Sequence, residues 1–249
     1  SGRGELHLSI LLENMRREGY EIGVSKPEVL LIKDENGKLL EPMEKVIVNC
    51  PEVYSGTVIN KLNLRKAMME AMEIEGDYVK ITFIAPTRGL LGYRSEFIND
   101  TRGEGSLVRS FERYEEHKGE IPGRTNGVLI AQSNGTTMAY ALNSLSERAQ
   151  MFVEPSVDVY EGMIIGMNSR KEDMTVNPCK NKKLTNVRAS GSDDAIKLQP
   201  ARVFTLEEAL EFIDDDELVE ITPDAIRLRK KFLNEHDRLR YNKSRQANK

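Results

Sequence analysis

From Leu39 to Glu116 the hydrophobic pattern changes period repeatedly, and the order of the changes leaves few folds open. Val46 and Val48 alternate with polar neighbours as in a strand, whereas Tyr54, Val58, Ile59 and Leu62 recur at helical spacing. Two runs, 67–73 and 78–85, then flank Glu75-Gly76-Asp77; in the second, Val79, Ile81 and Phe83 alternate with Lys80 and Thr82, which reads as a β-hairpin. Pro86 closes it, Leu90, Leu91, Arg94 and Phe97 mark a second helix, and 107–114 forms a last strand. The order βαββαβ predicts an α+β fold of the ferredoxin-like type, an antiparallel sheet with two helices on one face.

The flanks read differently. Leu8, Leu11, Leu12 and Met15 give an amphipathic helix that Gly19 ends, followed by a strand over 27–33 and a turn at Asp34–Gly37. This is half of an α/β domain at most, and a chain opening at Ser1 without methionine reads as cut. After Gly119 come short strands at 128–131, 137–142, 157–159 and 162–167, with 145–152 left open as helix or loop. Thr205 to Glu208 is a capping box opening a helix with Leu206, Ala209, Leu210 and Ile213 buried, and Asp214 to Glu217 marks its stop. Strands at 218–221 and 225–228 form a hairpin, and the polar sequence beyond Leu233 is expected to fray. Three regions are thus predicted: a partial domain over 1–38, the ferredoxin-like domain over 39–118, and a β-rich C-terminal domain with one or two helices over 119–249.

Charge is segregated. Residues 168–191 contain Arg170, Lys171, Lys180, Lys182, Lys183 and Arg188 against Glu172 and Asp173, and 224–249 carries a second basic excess that includes Arg227, Arg229, Lys230 and Lys231, although the whole chain has a net charge of −4. An acidic protein with local basic segments is suited to meet a polyanion at those segments. The first segment is expected to be a projecting basic loop, open to two readings, RNA contact or a solvated loop. The acidic run from Glu207 to Glu220 lacks the alternating ligands and turn glycine of a calcium loop and is read as a solvated face.

Several chemistries find no support. No apolar run approaches the ~18 residues that span a bilayer, and no signal segment is present, so a cytoplasmic location without membrane partners is expected. Cys50 and Cys179 are expected as free thiols, and His7, His117 and His236 have no paired metal-ligand spacing. The G-x-x-x-x-G-K-[ST] loop that cradles nucleotide phosphates is missing, and no histidine sits beside a recognisable nucleophile, so the chain is read as non-catalytic and without a cofactor of its own.

LLEPMEKVIVNCPEVYSGTVINKLNLRK and GYRSEFINDTRGEGSLVRSFERYEE resemble domain V of elongation factor G, and SGRGELHLSILLENMRREGYE resembles the last helix of its domain III. KKLTNVRASGSDDA and TLEEALEFIDDDELVEITPDAIRLRKK resemble the BipA/TypA family of translational GTPases. The resemblance implies a ribosome-docking C-terminal region whose parent holds GTP and magnesium in an N-terminal domain and serves stress-adapted translation or large-subunit assembly. It further implies that Lys182, Lys183 and Arg188, within the matching string, reach large-subunit rRNA and the acceptor end of A-site tRNA; no DNA partner is implied. Arg88 and Arg94 flank the Leu90-Leu91-Gly92 turn of a domain that, by the same resemblance, faces the ribosome's GTPase-associated region, although structural ion pairing would also account for them. Rival readings are a LepA-like factor and a ferredoxin-like regulatory module that binds a small metabolite.

Overall fold

The computed structural model describes residues 5–181 and 198–247. In chain order the elements are α1 (Glu5–Arg17), β1 (Ile22–Ser25), β2 (Ile32–Lys33), β3 (Leu39–Pro51), α2 (Glu52–Leu64), β4 (Met68–Glu75), β5 (Tyr78–Pro86), a short 3-10 turn (Thr87–Leu90), α3 (Tyr93–Asp100) and β6 (Ser106–Glu116). There follow β7 (Val128–Ala131), β8 (Gly135–Thr136), α4 (Ala139–Ser146), β9 (Ala149–Met151), β10 (Asp158–Val159), β11 (Met163–Asn168), β12 (Met174–Val176), α5 (Leu206–Phe212), β13 (Glu217–Ile221), β14 (Ile226–Lys230) and α6 (Glu235–Ala247). The chain divides into two compact units, Pro27–Gly123 and a discontinuous one of Ser1–Lys26 with Arg124–Lys249.

The 27–123 unit has the predicted βαββαβ order. Its antiparallel sheet runs β2-β3-β5-β4, with β6 on β3. The long β3 holds the unit in register, its Met43 to Pro51 facing Pro86 to Tyr78 of β5. Alternation puts Val46, Val48, Val79, Ile81 and Phe83 on one face, where Val58 and Leu62 of α2 and Tyr93 and Phe97 of α3 close over them.

The other unit is built on shorter strands. Its seven-stranded sheet runs β1-β13-β14-β11-β7-β12, with β9 added on β11, and β12 lies parallel to β7. Val128, Ile130 and Ile164 pack under α5, while Leu129, Ala131 and Ile165 pack under α4, so the sheet is buried on both faces. That explains why β7 is a continuous apolar run without alternation. The capping box at Thr205 and Glu208 opens α5 as expected.

Five expectations are corrected. The 137–142 stretch is mainly helical, because Ala141, Leu142 and Leu145 share one buried face of α4. Beyond Leu233, Glu235–Ala247 form α6, tied back by a Phe232–Tyr241 ring contact at 5.0 Å and by Arg238 donating to the carbonyls of Phe232 and Leu233. The strand expected over 27–33 shrinks to β2, and the strand after α1 is β1, which pairs Ile22 to Ser25 with Ile221 to Leu218 of β13. The division at 38 differs too: Leu12, Ile22 and Val24 pack on the C-terminal cluster, while 27–38 join the other unit through the β2–β3 pairing. Finally, the basic segment from Asn168 does not simply project, since Met174 to Val176 enter the sheet and Val176 is buried. Cys50 and Cys179 are both free thiols.

Candidate nucleic-acid interface

Of the six cations singled out in 168–191, Lys182, Lys183 and Arg188 lie outside the described residues. Arg170, Lys171 and Lys180 are exposed, and none forms an ion pair among the described residues. Arg170 and Lys171 sit at the tip of a short turn between β11 and β12, whereas Lys180 lies beyond the far end of β12. The strand therefore separates these cations into two positions.

The turn itself is tightly held. Asn168, 1% exposed, donates through its amide to the carbonyl of Glu172 at 2.7 Å and accepts from the Arg170 N–H at 3.3 Å, bracketing the two cations. The Gly127 N–H donates to the Arg170 carbonyl at 2.8 Å, and the Asn168 N–H donates to the Gly127 carbonyl at 2.9 Å. No side chain fits at 127, because a Cβ there would stand 2.2 Å from the Glu172 carbonyl oxygen. Ser169 donates its N–H and hydroxyl to the Arg148 carbonyl at 3.0 and 2.8 Å, which brings a further exposed cation beside the tip. Arg148 went unnoticed in the sequence, where a lone arginine before an apolar run carries no signal.

Below the tip lies a buried charge network. Asp173 accepts from the Val128 N–H at 2.9 Å and pairs with Lys230 at 2.7 Å. Lys230, whose side chain is 3% exposed, also meets Asp216 at 3.0 Å and Glu217 at 2.9 Å, and the fully buried Glu217 carboxylate is gripped by the Arg124 guanidinium at 2.8 and 2.9 Å. Burial pushes the Glu217 carboxyl up, but the Arg124 hydrogen bonds and the charges of Lys230 and Arg124 outweigh it and bring the pKa down to about 2. Burial likewise opposes the Lys230 ammonium, yet Glu217, Asp173 and Asp216 together hold it above its ordinary range. Such a site keeps its charges because each has an opposite charge in hydrogen-bond reach.

This network corrects two readings. Lys230, read from the sequence as a possible ribosome contact, is an interior cation, and the 207–220 run is not merely a solvated face because Glu217 is buried. The signal was legible: in β14 Lys230 falls on the inward alternation with Leu228, in β13 Glu217 falls inward with Val219 and Ile221, and the register sets Glu217 opposite Lys230. Arg227 and Arg229 are partly exposed and lean on Glu220 at 3.4 and 3.7 Å, while Lys231 is exposed.

In the 27–123 unit Arg88 is likewise structural. Its guanidinium meets the fully buried Glu41 carboxylate at 2.5 and 3.2 Å and donates to the Gly119 carbonyl, while the Lys118 N–H gives Glu41 another bond at 2.6 Å. Arg94 is exposed on α3 without an ion pair among the described residues. No group of three metal-ligating side chains occurs among the described residues, and no helix there is long and apolar enough to cross a membrane.

Comparison with known proteins accounts for both units. Residues 38–125 match the elongation factor G C-terminus family, and 126–235 match the TypA/BipA C-terminal domain. The chain is 51% identical over 246 residues to the large ribosomal subunit assembly factor BipA of Haemophilus influenzae, covering 98% of this chain and 40% of that protein. It is 47% identical over 240 residues to the protein of the same name from Bacillus subtilis, covering 96% and 39%. The chain thus spans about 40% of the length of these relatives.

Proposed function

Because the chain belongs to the TypA/BipA family and corresponds to the C-terminal part of its members, we propose that it docks a translational GTPase on the large ribosomal subunit during subunit assembly or stress-adapted translation. The GTP and magnesium of that reaction would belong to the parent's GTPase domain, and this chain would work in the cytoplasm by binding alone. Arg170 and Lys171, with Lys180, Lys182, Lys183 and Arg188, make the rRNA contact, and the last three extend it to the acceptor end of A-site tRNA. Arg94 and Lys231 are further candidates, whereas Arg88 and Lys230 are assigned to the fold.

The observation that carries this reading is the Arg170–Lys171 tip. Two exposed cations without an ion pair among the described residues stand on a turn whose backbone is fixed by Asn168 and Asp173. A fixed turn presents charge to phosphate at less entropic cost than a loose loop. Arg170 can bind bidentately, while Lys171 acts as a point charge. The described part of the segment has no aromatic side chain, which favours recognition of RNA shape and phosphate over base stacking.

The test is pelleting of the chain with isolated large subunits across a salt series. Six phosphate contacts would cost on the order of a thousandfold in affinity between 50 and 200 mM salt, taking the duplex slope as an upper guide. Replacing Lys182, Lys183 and Arg188 by alanine should roughly halve the log-log slope, and replacing Arg170 and Lys171 should remove about a third of it. A slope unchanged in both variants, with normal melting, would sink the proposal.

A further inference from the structure

The 27–123 unit has a strand edge that its own fold leaves unused. β4 pairs with β5 on one side and with no strand on the other among the described residues, and all eight of its residues are exposed. Edge strands are commonly kept from pairing by lysine, proline, other charges or a bulge; β4 has no lysine or proline, its charges are all glutamates, and it has one bulge. Its bulge lies between Met69 and Ala71, so Ala71 to Glu75 run in regular register.

The register sorts the two faces of this edge by chemistry. Met69, Met72 and Ile74 stand beside Phe83, Ile81 and Val79, on the face that carries the core, yet they remain 49, 43 and 63% exposed. Ala71, Glu73 and Glu75 stand beside Thr82, Lys80 and Tyr78 on the other face. Glu73 makes only a long 3.5 Å contact to Lys80, and Glu75 has no ion pair among the described residues. A strand laid along this edge would therefore meet apolar side chains on one face and carboxylates on the other.

We propose that the free edge of β4 is a docking strand for an extended segment of a partner protein in which apolar and basic residues alternate. Charge decides among possible occupants. RNA phosphates would be repelled by Glu70, Glu73 and Glu75, and a second copy of β4 would bring six glutamates together. A lysine- or arginine-bearing strand neutralises them while its alternate residues cover Met72 and Ile74.

The probe is a synthetic peptide of about eight residues alternating lysine and valine, titrated into the full chain and followed by amide exchange. Saturable binding is expected, with new protection among residues 70–75, and the same peptide with glutamate for lysine should bind at least tenfold more weakly. Glu73→Gln with Glu75→Gln, and separately Ile74→Thr, should each weaken the lysine peptide several-fold while melting stays normal. Equal binding of both peptides, protection gained elsewhere than 70–75, or the absence of saturation would overturn the proposal. So would self-association of the chain that Ile74→Thr abolishes, because the occupant would then be a second copy.

Discussion

The two units each bury a carboxylate against an arginine, but they depend on it to different degrees. In the 27–123 unit the register comes from long ladders, β3 alone spanning 13 residues, and the Glu41–Arg88 pair fastens only the segment at 117–119 to the turn before α3. In the C-terminal unit the strands around the charge network have three to six residues. Few ladder bonds fix each of them, so Lys230, Glu217, Arg124, Asp173 and Asp216 join the 168–176 segment to the β13–β14 hairpin. Short strands leave the placement of the basic tip to its own turn hydrogen bonds and to the charge network beneath it, and the comparison can be broken at that network.

The largest effect is expected at Lys230. Lys230→Met removes the cation shared by three carboxylates and should cost roughly 3–5 kcal/mol, the range for breaking a buried pair on one side. Arg88→Met leaves the buried Glu41 with the Lys118 N–H and takes away a cation that is 20% exposed, where Lys230 is 3% exposed, and should cost about 1–3 kcal/mol. Urea unfolding of both variants measures the difference. If Arg88→Met costs the more, the network is not what the C-terminal unit depends on.

Acid should act next. The Glu217 carboxyl is lowered from 4.5 to about 2 in the folded chain, so its stabilisation is complete above the unfolded value and is lost as the pH falls from about 4.5 towards 2. The shift corresponds to roughly 3 kcal/mol in total. Glu41 is also lowered: burial raises it, while the Arg88 and Lys118 hydrogen bonds pull it down. Its contribution fades in the same direction. Protection factors of β13 amides, corrected for the intrinsic pH dependence of exchange, should therefore fall between pH 5 and 3, and Glu217→Gln should flatten that fall. An unchanged acid response in this variant would remove Glu217 from the explanation.

The smallest change in stability is expected where the change in binding is large. Arg170→Ala and Lys171→Ala take away exposed charges outside any ion pair among the described residues, so each should shift stability by no more than about 0.5 kcal/mol. Calorimetric melting measures this directly. A loss above about 2 kcal/mol would make the tip part of the fold and would undercut its assignment as an RNA contact.

The ferredoxin-like order of 39–116 was legible because its strands and helices are long enough for period 2 and period 3.6 to be told apart. The 137–142 stretch was not, since Ala141 and Leu142 beside polar neighbours fit either period and only the far-away face of β7 decides between them. β12 was hidden for a related reason: three residues, Met174 to Val176, are too few to show a period, and they become a strand only because β7 offers a parallel edge. α6 was hidden by its polarity, as its anchors are one ring contact and one arginine.

The sequence by itself determined the fold of the 39–116 region, the capping box of α5, the segregation of charge, and the family resemblance carried by its long strings. Tertiary structure decided what individual charges do. Arg170 and Lys230 are both cations in basic segments, but one lies at a turn tip in water and the other lies beneath it among three carboxylates. Alternation sets the face a side chain takes, whereas whether that face meets solvent or a carboxylate from 13 or 57 residues away depends on which strands come together. That choice is made by the summed burial of both sheet faces, a quantity that no local window of sequence contains.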